Sequence, residues 1–225
     1  IETLMSLILN IVLKSILKGY ALMIGPENTP YENGFYFFAI DYPDNYPLSP
    51  PKVTFCNKDD TLNTRFNPNL YRNGKVCISI LNTWRGEGWT SCLTIRSVLL
   101  SILTVLNKNP LINEPNIDLS HRDLISYNNI ITNRNIDVYI DEIIDKLVHN
   151  RNTCLNYSIY SMFRETIIEL FLKIYNDTVN KIKLLMEDKN NHLTFFVNMY
   201  SMSCYLDYNI IYDNVRKIKI ELEKL

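Results

Sequence analysis

Apolar residues in the first half of the chain fall in short runs, and in the second half they recur at helical spacing. The runs at 20–24 and 35–40 are apolar and partly aromatic, and the turn-rich stretch from Gly25-Pro26 to Gly34 divides them, which predicts strand, loop, strand. Lys52-Val53-Thr54-Phe55 makes a third strand after 47–51, where three prolines keep the backbone extended and forbid a helix. From 94 to 106, Ile95, Val98, Leu99, Ile102, Leu103 and Leu106 form the stripe of an amphipathic helix that should cover the sheet. Gly and Pro are concentrated before Pro115. Beyond it the pattern is helical, at Ile140, Ile143, Ile144 and Leu147, through 162–174, and at Val215, Ile218, Ile220 and Leu222. The polar, Asn-rich stretch 116–135 is expected to contain a loop, and 188–192 to be a break between two later helices. The most apolar stretch, 4–17, is interrupted by Asn10 and Lys14 and is shorter than the roughly 20 residues that span a bilayer, so it is expected in the core. Antiparallel strands followed by helices predict an α+β architecture with helices on one face or end of the sheet.

Composition narrows the function. With 225 residues, 47% of them hydrophobic and 21% charged, the chain suits one large domain or one domain with an appendage. Lys and Arg total 23 against 24 Asp and Glu, so no global field draws it to nucleic acid or to anionic lipid, and neither is expected as a partner. Five cysteines without a CxxC pair argue against a disulfide framework or a structural zinc site and fit a reducing compartment. Ile1-Glu2-Thr3 lacks the basic start of a signal peptide, and the missing initial Met fits a trimmed N-terminus.

Candidate chemistry centres on one thiol. His121, His149 and His192 are far apart, so a metal cluster or a Ser/His/Asp set has little support, and Gly86-Glu87-Gly88 is too short for more than a flexible turn. Cys56, Cys92, Cys154 and Cys204 read as structural. Cys77 differs, because it follows two turn signals in 67–76 and lies near Lys75, where irregular backbone would expose a reactive thiol. A regular two-residue hairpin at Asn73-Gly74 would pair Arg72 with Lys75 and Leu70 with Cys77 and leave Asn69 on the opposite face. For the Asn69 amide to reach a tetrahedral centre at Cys77 the segment must be irregular, an irregularity that Pro68 favours by removing a backbone donor.

These motifs resemble the catalytic core of ubiquitin-conjugating enzymes. The resemblance rests on Tyr31-Glu32-Asn33-Gly34-Phe35 after Gly25-Pro26, Tyr42-Pro43, Tyr46-Pro47-Leu48-Ser49-Pro50-Pro51-Lys52-Val53, Asn67-Pro68-Asn69, Asn73-Gly74-Lys75-Val76-Cys77-Ile78-Ser79-Ile80-Leu81, and Trp89 before Leu93-Thr94-Ile95. It covers about 20–115. Asn67-Pro68-Asn69 in place of the usual His-Pro-Asn, with Asn113-Glu114-Pro115, is most similar to the large branch with long active-site loops and C-terminal extensions.

The resemblance implies a four-stranded antiparallel meander packed on helices, with a core at 1–175 carrying an insertion around 116–152, and a helical extension at 176–225. It implies that Cys77 takes ubiquitin or a ubiquitin-like modifier from a ubiquitin-activating enzyme as a thioester and passes it to an amine or a ligase, with no cofactor of its own, since ATP is used by the activating enzyme. Asn69 matches the family's oxyanion donor. The acidic position beside the thiol aligns with Asn113 or Glu114. Pro47, Leu48, Ser91 and Cys92 occupy ligase-contact positions, with Leu48 replacing a common aromatic and Thr90-Ser91-Cys92 replacing Ser-Pro-Ala. The charged N-terminal helix that meets the activating enzyme is not evident in 1–18. Longer connections at 57–65 and 82–88 should flank Cys77. An intracellular location, cytoplasm or nucleus, follows from the family. The competing readings are an inactive binding module of the same fold, whose known variants lack the cysteine, and a cysteine hydrolase, disfavoured for want of a histidine motif.

Overall fold

A computed structural model describes residues 8–57, 64–149, 157–188 and 192–224. Four strands form an antiparallel meander in the order β1 (Ile8–Ser15), β2 (Lys18–Ile24), β3 (Phe35–Asp41) and β4 (Lys52–Phe55). Ala21, Leu22 and Met23 are buried in succession, as are Phe35, Tyr36, Phe37 and Phe38, so the central strands are covered on both faces. Phe37 meets Tyr160 and Phe163 at ring-centroid distances of 4.7 and 5.9 Å, while Tyr36 and Phe38, on the alternate face, pack on Phe55 at 6.4 and 5.6 Å.

The N-terminal stretch does not lie in the core as expected. Its described part is the edge strand β1 and the turn after it, with Leu13 66% and Ile16 92% exposed. β1 has one neighbour in the sheet, β2, so hydrophobicity alone did not bury it.

Helix α1 (Ile95–Val105) buries Val98, Leu99, Ile102 and Leu103, the stripe read from the sequence, behind a capping box formed by Thr94 and Ser97. The Asn-rich stretch carries helix α2 (Leu124–Asp137) after a run of turns, and its buried asparagines are structural bonds. Tyr36 Oη donates to Asn135 Oδ1 at 2.6 Å, Asn135 Nδ2 donates to the Glu32 carbonyl at 2.9 Å, and Tyr208 Oη donates to Asn133 Oδ1 at 2.7 Å. Gly34 is required under α2, because a Cβ there would lie 1.8 Å from Asn135 Oδ1.

The chain continues through the π-helical segment Val138–Asp145 and a helical turn, Lys146–Val148, to α3 (Tyr157–Met162) and α4 (Arg164–Asp188). Helix α4 runs across the 175/176 boundary at which the extension was expected to begin. Between α4 and the last helix, α5 (Tyr208–Leu222), stands a hairpin of β5 (His192–Val197) and β6 (Met202–Asp207) where only a break between helices was expected. Val197, Met202 and Cys204 point inward and Phe196 and Tyr205 outward. Asp207 caps α5, its Oδ1 accepting from the amides of Asn209 and Ile210. Among the described residues no helix is long and apolar enough to cross a membrane.

Replacing Asn135 by Ala strands a buried phenol and a carbonyl. The expected loss is about 2 kcal/mol, read from urea unfolding, against no measurable loss for a change at exposed Lys75.

Candidate active site

The site begins with a turn. Asn73-Gly74 does not make a two-residue hairpin; Arg72, Asn73 and Gly74 together form a three-residue loop. The Gly74 amide donates to the Tyr71 carbonyl at 2.8 Å and the Tyr71 amide to the Lys75 carbonyl at 2.9 Å, the bonding of a type I turn closed by a left-handed residue. Gly74 supplies that residue at φ +88°, and a Cβ there would also lie 2.9 Å from the Phe55 carbonyl oxygen. The extra loop residue moves the pairing by one. Leu70 bridges Val76, and the Cys77 amide donates to the Asn69 carbonyl at 2.8 Å. Asn69 is therefore the residue opposite Cys77. The irregularity required by the sequence pattern is present, and its source is Gly74 rather than Pro68.

Both sides of this pair are held. Asn67 is fully buried; its Nδ2 donates to Tyr31 Oη at 2.8 Å and to the Val105 carbonyl at 2.7 Å, and its Oδ1 accepts the Asn69 amide at 2.8 Å. Asn69 Nδ2 donates to the carbonyl of Cys77 at 2.7 Å. One amide hydrogen thus pins the turn and the second is left for another acceptor, while Asn69 Oδ1 is buried without a partner.

Cys77 is 3% exposed, so the open thiol expected from the sequence is not observed. The physical reason is the 82–88 connection, which folds back over the sulfur. Cys77 Sγ donates to the Thr83 carbonyl at 2.9 Å. Thr83 Oγ1 accepts the Ile78 amide at 3.0 Å and lies 2.9 Å from the Val76 carbonyl, and Asn82 Oδ1 closes the base of the loop by accepting the Trp89 amide at 2.8 Å. The cover is thin. Trp84 and its neighbours through Gly88 are exposed, and Cys77 stands outside the contiguous apolar core that takes in Cys56 and Cys204. Thr83 separates two depressions: a groove of about 450 Å³ lined by 50–54, 73–76 and Leu81, and a cleft of about 690 Å³ that it lines with Asn82, Trp84, Arg85 and Pro115.

The two acidic-position candidates part company here. Asn113 turns into the framework, donating to the Val105 carbonyl at 3.0 Å and accepting from Asn107 at 3.0 Å. Glu114, next to cleft-lining Pro115, accepts a 2.6 Å hydrogen bond from Tyr200 Oη. Burial pushes the Tyr200 phenol well up, and the bond to Glu114 pushes it further, so it is a protonated donor. The Arg65 guanidinium lies between the Tyr71 and Tyr200 rings, 4.0 and 4.5 Å from their centroids. Sequence reasoning missed Thr83, which acts through its backbone carbonyl, and Tyr200, which is distant in the chain.

Pro47, Leu48, Ser91 and Cys92 are exposed, Leu48 at 76%. The Trp89 indole joins their two loops by donating to the Pro47 carbonyl at 2.7 Å. Lys75 places its ammonium 5.7 Å from the Tyr71 ring centroid. His149 lies between Asp145 and Glu221, at 2.9 and 2.8 Å, and His121 Nδ1 accepts the Asp123 amide, so both are engaged away from the thiol. Cys154, residues 58–63 of the 57–65 connection and 150–152 of the expected insertion lie outside the described residues.

The family model described as ubiquitin-conjugating enzyme matches residues 5–133, which takes in part of the expected insertion. The ubiquitin-conjugating enzyme E2 Z of Homo sapiens is 42% identical over 130 residues, which is 57% of this chain and 36% of that protein. The probable ubiquitin-conjugating enzyme protein 17 of Caenorhabditis elegans is 46% identical over 101 residues, 43% of this chain and 14% of that one. The matched region thus spans about two fifths or less of the length of these relatives. Among solved structures, a Toxoplasma gondii ubiquitin-conjugating enzyme E2 domain is 31% identical, covering 56% of this chain and 80% of its own, with a TM-score of 0.42. H. polymorpha Pex4p, solved with the soluble domain of Pex22p, is 24% identical over 55% of this chain and 79% of its own, with a TM-score of 0.44.

Thr83→Ala removes the hydroxyl that fastens the cover. Alkylation of Cys77 by iodoacetamide, followed by peptide mass spectrometry, is expected to accelerate roughly fivefold, the equivalent of about 1 kcal/mol, while buried Cys56 and Cys204 react no faster. An unchanged rate means that the thiol is reached by another route.

Proposed function

The chain belongs to the ubiquitin-conjugating enzyme family, and from that membership we propose that it carries ubiquitin or a ubiquitin-like modifier as a thioester on Cys77 and transfers it to an amine or through a ligase. The observation that carries the reading is the pairing of Cys77 with Asn69 across the bulged hairpin, which puts a thiol and a side-chain amide donor on one face.

Two acyl transfers compose the reaction. In the first, Cys77 Sγ attacks the carbonyl carbon of the modifier's C-terminal thioester on the activating enzyme. A new C–S bond forms, the old one breaks, and the activating enzyme's sulfur leaves with the proton that Cys77 gave up. In the second, an amine nitrogen attacks the Cys77 thioester, a C–N bond forms, the C–S bond breaks, and the amine proton ends on the departing sulfur or in solvent. Both steps pass through an oxyanion, and for the one formed by attack of the amine the second amide hydrogen of Asn69 is the proposed donor. Glu114 is the proposed acceptor of a hydrogen bond from the incoming amine, and Asn113 holds its loop. The Thr83 carbonyl must leave Cys77 Sγ before either transfer, so opening of 82–88 belongs to the cycle. Pro47, Leu48, Ser91 and Cys92 are the proposed ligase face, the setting is intracellular, and ATP is consumed by the activating enzyme.

Incubation of the protein with a ubiquitin-activating enzyme, ATP and a panel of modifiers is expected to give an adduct that reducing agent cleaves and that Cys77→Ala abolishes; no adduct with any modifier favours a binding module instead. Asn69→Ala is expected to load and then discharge to free lysine roughly a hundredfold more slowly, the equivalent of about 3 kcal/mol. Equal loss in both steps would mean that Asn69 serves only the turn.

A further inference from the structure

The turn of the β5–β6 hairpin reaches the active-site segments although it lies more than a hundred residues further along the chain. Four contacts fix Tyr200 there. Its carbonyl accepts from Arg72 Nη2 at 2.6 Å, its ring covers the Arg65 guanidinium, the ring stands 5.9 Å from that of Tyr127, and the preceding amide, of Met199, donates to Asp123 Oδ2 at 3.2 Å. Arg65 is itself held on the Pro68 carbonyl at 2.6 Å, and its amide lies 3.1 Å from Met202 Sδ of β6. Arg72 belongs to the three-residue loop that sets the Asn69–Cys77 register. One turn of the C-terminal region is thereby attached to both flanks of the Asn-Pro-Asn segment.

Among the described residues the phenol at the end of this assembly has one polar contact, Oη to Glu114 Oε2 at 2.6 Å. A carboxylate on a loop has free side-chain torsions, and a charge-assisted bond from a fixed donor selects one of its orientations. The bond occupies one lone pair of Oε2 and leaves Oε1 for a second donor. Asn113, the neighbouring candidate, has its amide committed to Val105 and Asn107 and is not available for that work.

We infer that Tyr200 is a positioning residue for acyl transfer: the C-terminal hairpin fixes the Glu114 carboxylate so that its free oxygen receives the incoming amine. The inference rests on the thioester reading above. It makes the hairpin a part of the acceptor side of the active site, with Tyr200 acting through Glu114 and touching neither the thioester nor the amine.

The test uses the full 225-residue chain, charged with ubiquitin by a ubiquitin-activating enzyme and ATP, then chased with free lysine. Tyr200→Phe keeps the ring against Arg65 and Tyr127 and removes only the hydroxyl. It is expected to slow discharge to lysine roughly tenfold and to change the loading rate less than about twofold. In a Glu114→Gln background the same substitution is expected to add no further slowing, because the two side chains act as one unit. A strut without a positioning role gives a different pattern, with loading and discharge slowed together or slowing that persists in the Glu114→Gln background, and either result overturns the inference. Discharge by Tyr200→Phe at the wild-type rate also overturns it and leaves the thioester reading standing. Failure of the wild-type chain to form the ubiquitin thioester overturns both.

Discussion

A one-residue shift in register organises the site. With a two-residue turn at Asn73-Gly74, Asn69 would face away from Cys77; with the three-residue turn observed, the two are directly opposed. The shift depends on a left-handed backbone at position 74, and only glycine adopts it without strain while fitting against the Phe55 carbonyl. The buried side chain of Asn67 then locks the pair from behind, bonding Tyr31, the end of α1 and the Asn69 amide together. The chemistry proposed for Cys77 is thus set by backbone geometry several residues away.

Buried polar side chains carry that order outward. Asn135 ties α2 to β3 and to the turn before it, Asn133 ties α2 to α5, and Tyr127 of α2 donates to the Arg65 carbonyl at 2.8 Å. The Tyr36–Asn135 and Tyr208–Asn133 bonds are buried, so breaking either leaves an unsatisfied group that costs more than the bond contributes when formed. Such a network fixes relative positions more sharply than apolar contact does. The C-terminal hairpin enters the same network through Asp123, Arg65 and Arg72, and so its tip is held to the segments that flank Cys77 and Asn69.

The parts legible in the sequence were those written in a strong local code. Short apolar runs with Gly and Pro between them marked β2, β3 and β4, and a period-3.6 stripe marked α1. The stretch 4–17 was expected in the core because it is the most apolar in the chain and too short to span a bilayer, but its described part is an edge strand with one neighbour and stays exposed. The β5–β6 hairpin was hidden because its turn contains neither Gly nor Pro, and Ser201 takes the left-handed position at φ +49°. The asparagines of α2 looked like loop composition, whereas their amides bond buried phenols, a tertiary fact that no window of sequence contains. Within the site, Cys77 stood out by the turn signals before it, whereas Asn69 and the pair Asn113 and Glu114 came from the resemblance to ubiquitin-conjugating enzymes. Thr83 escaped notice because a backbone carbonyl has no side-chain signature, and Tyr200 because its partner lies 86 positions away.

The cover over Cys77 carries its own chemical logic. A carbonyl oxygen at 2.9 Å is a good acceptor for a neutral thiol, and the same oxygen repels a thiolate. The closed loop therefore engages the sulfur in a hydrogen bond that must break before the sulfur can react. Opening breaks the thiol bond and the Thr83 hydroxyl bonds, at a cost on the order of 2–3 kcal/mol. Anything that binds the open loop more tightly than the closed one offsets that cost. Under the proposed reaction a modifier tail entering beside Cys77 would have this property, since it and the Thr83 carbonyl would compete for the same sulfur.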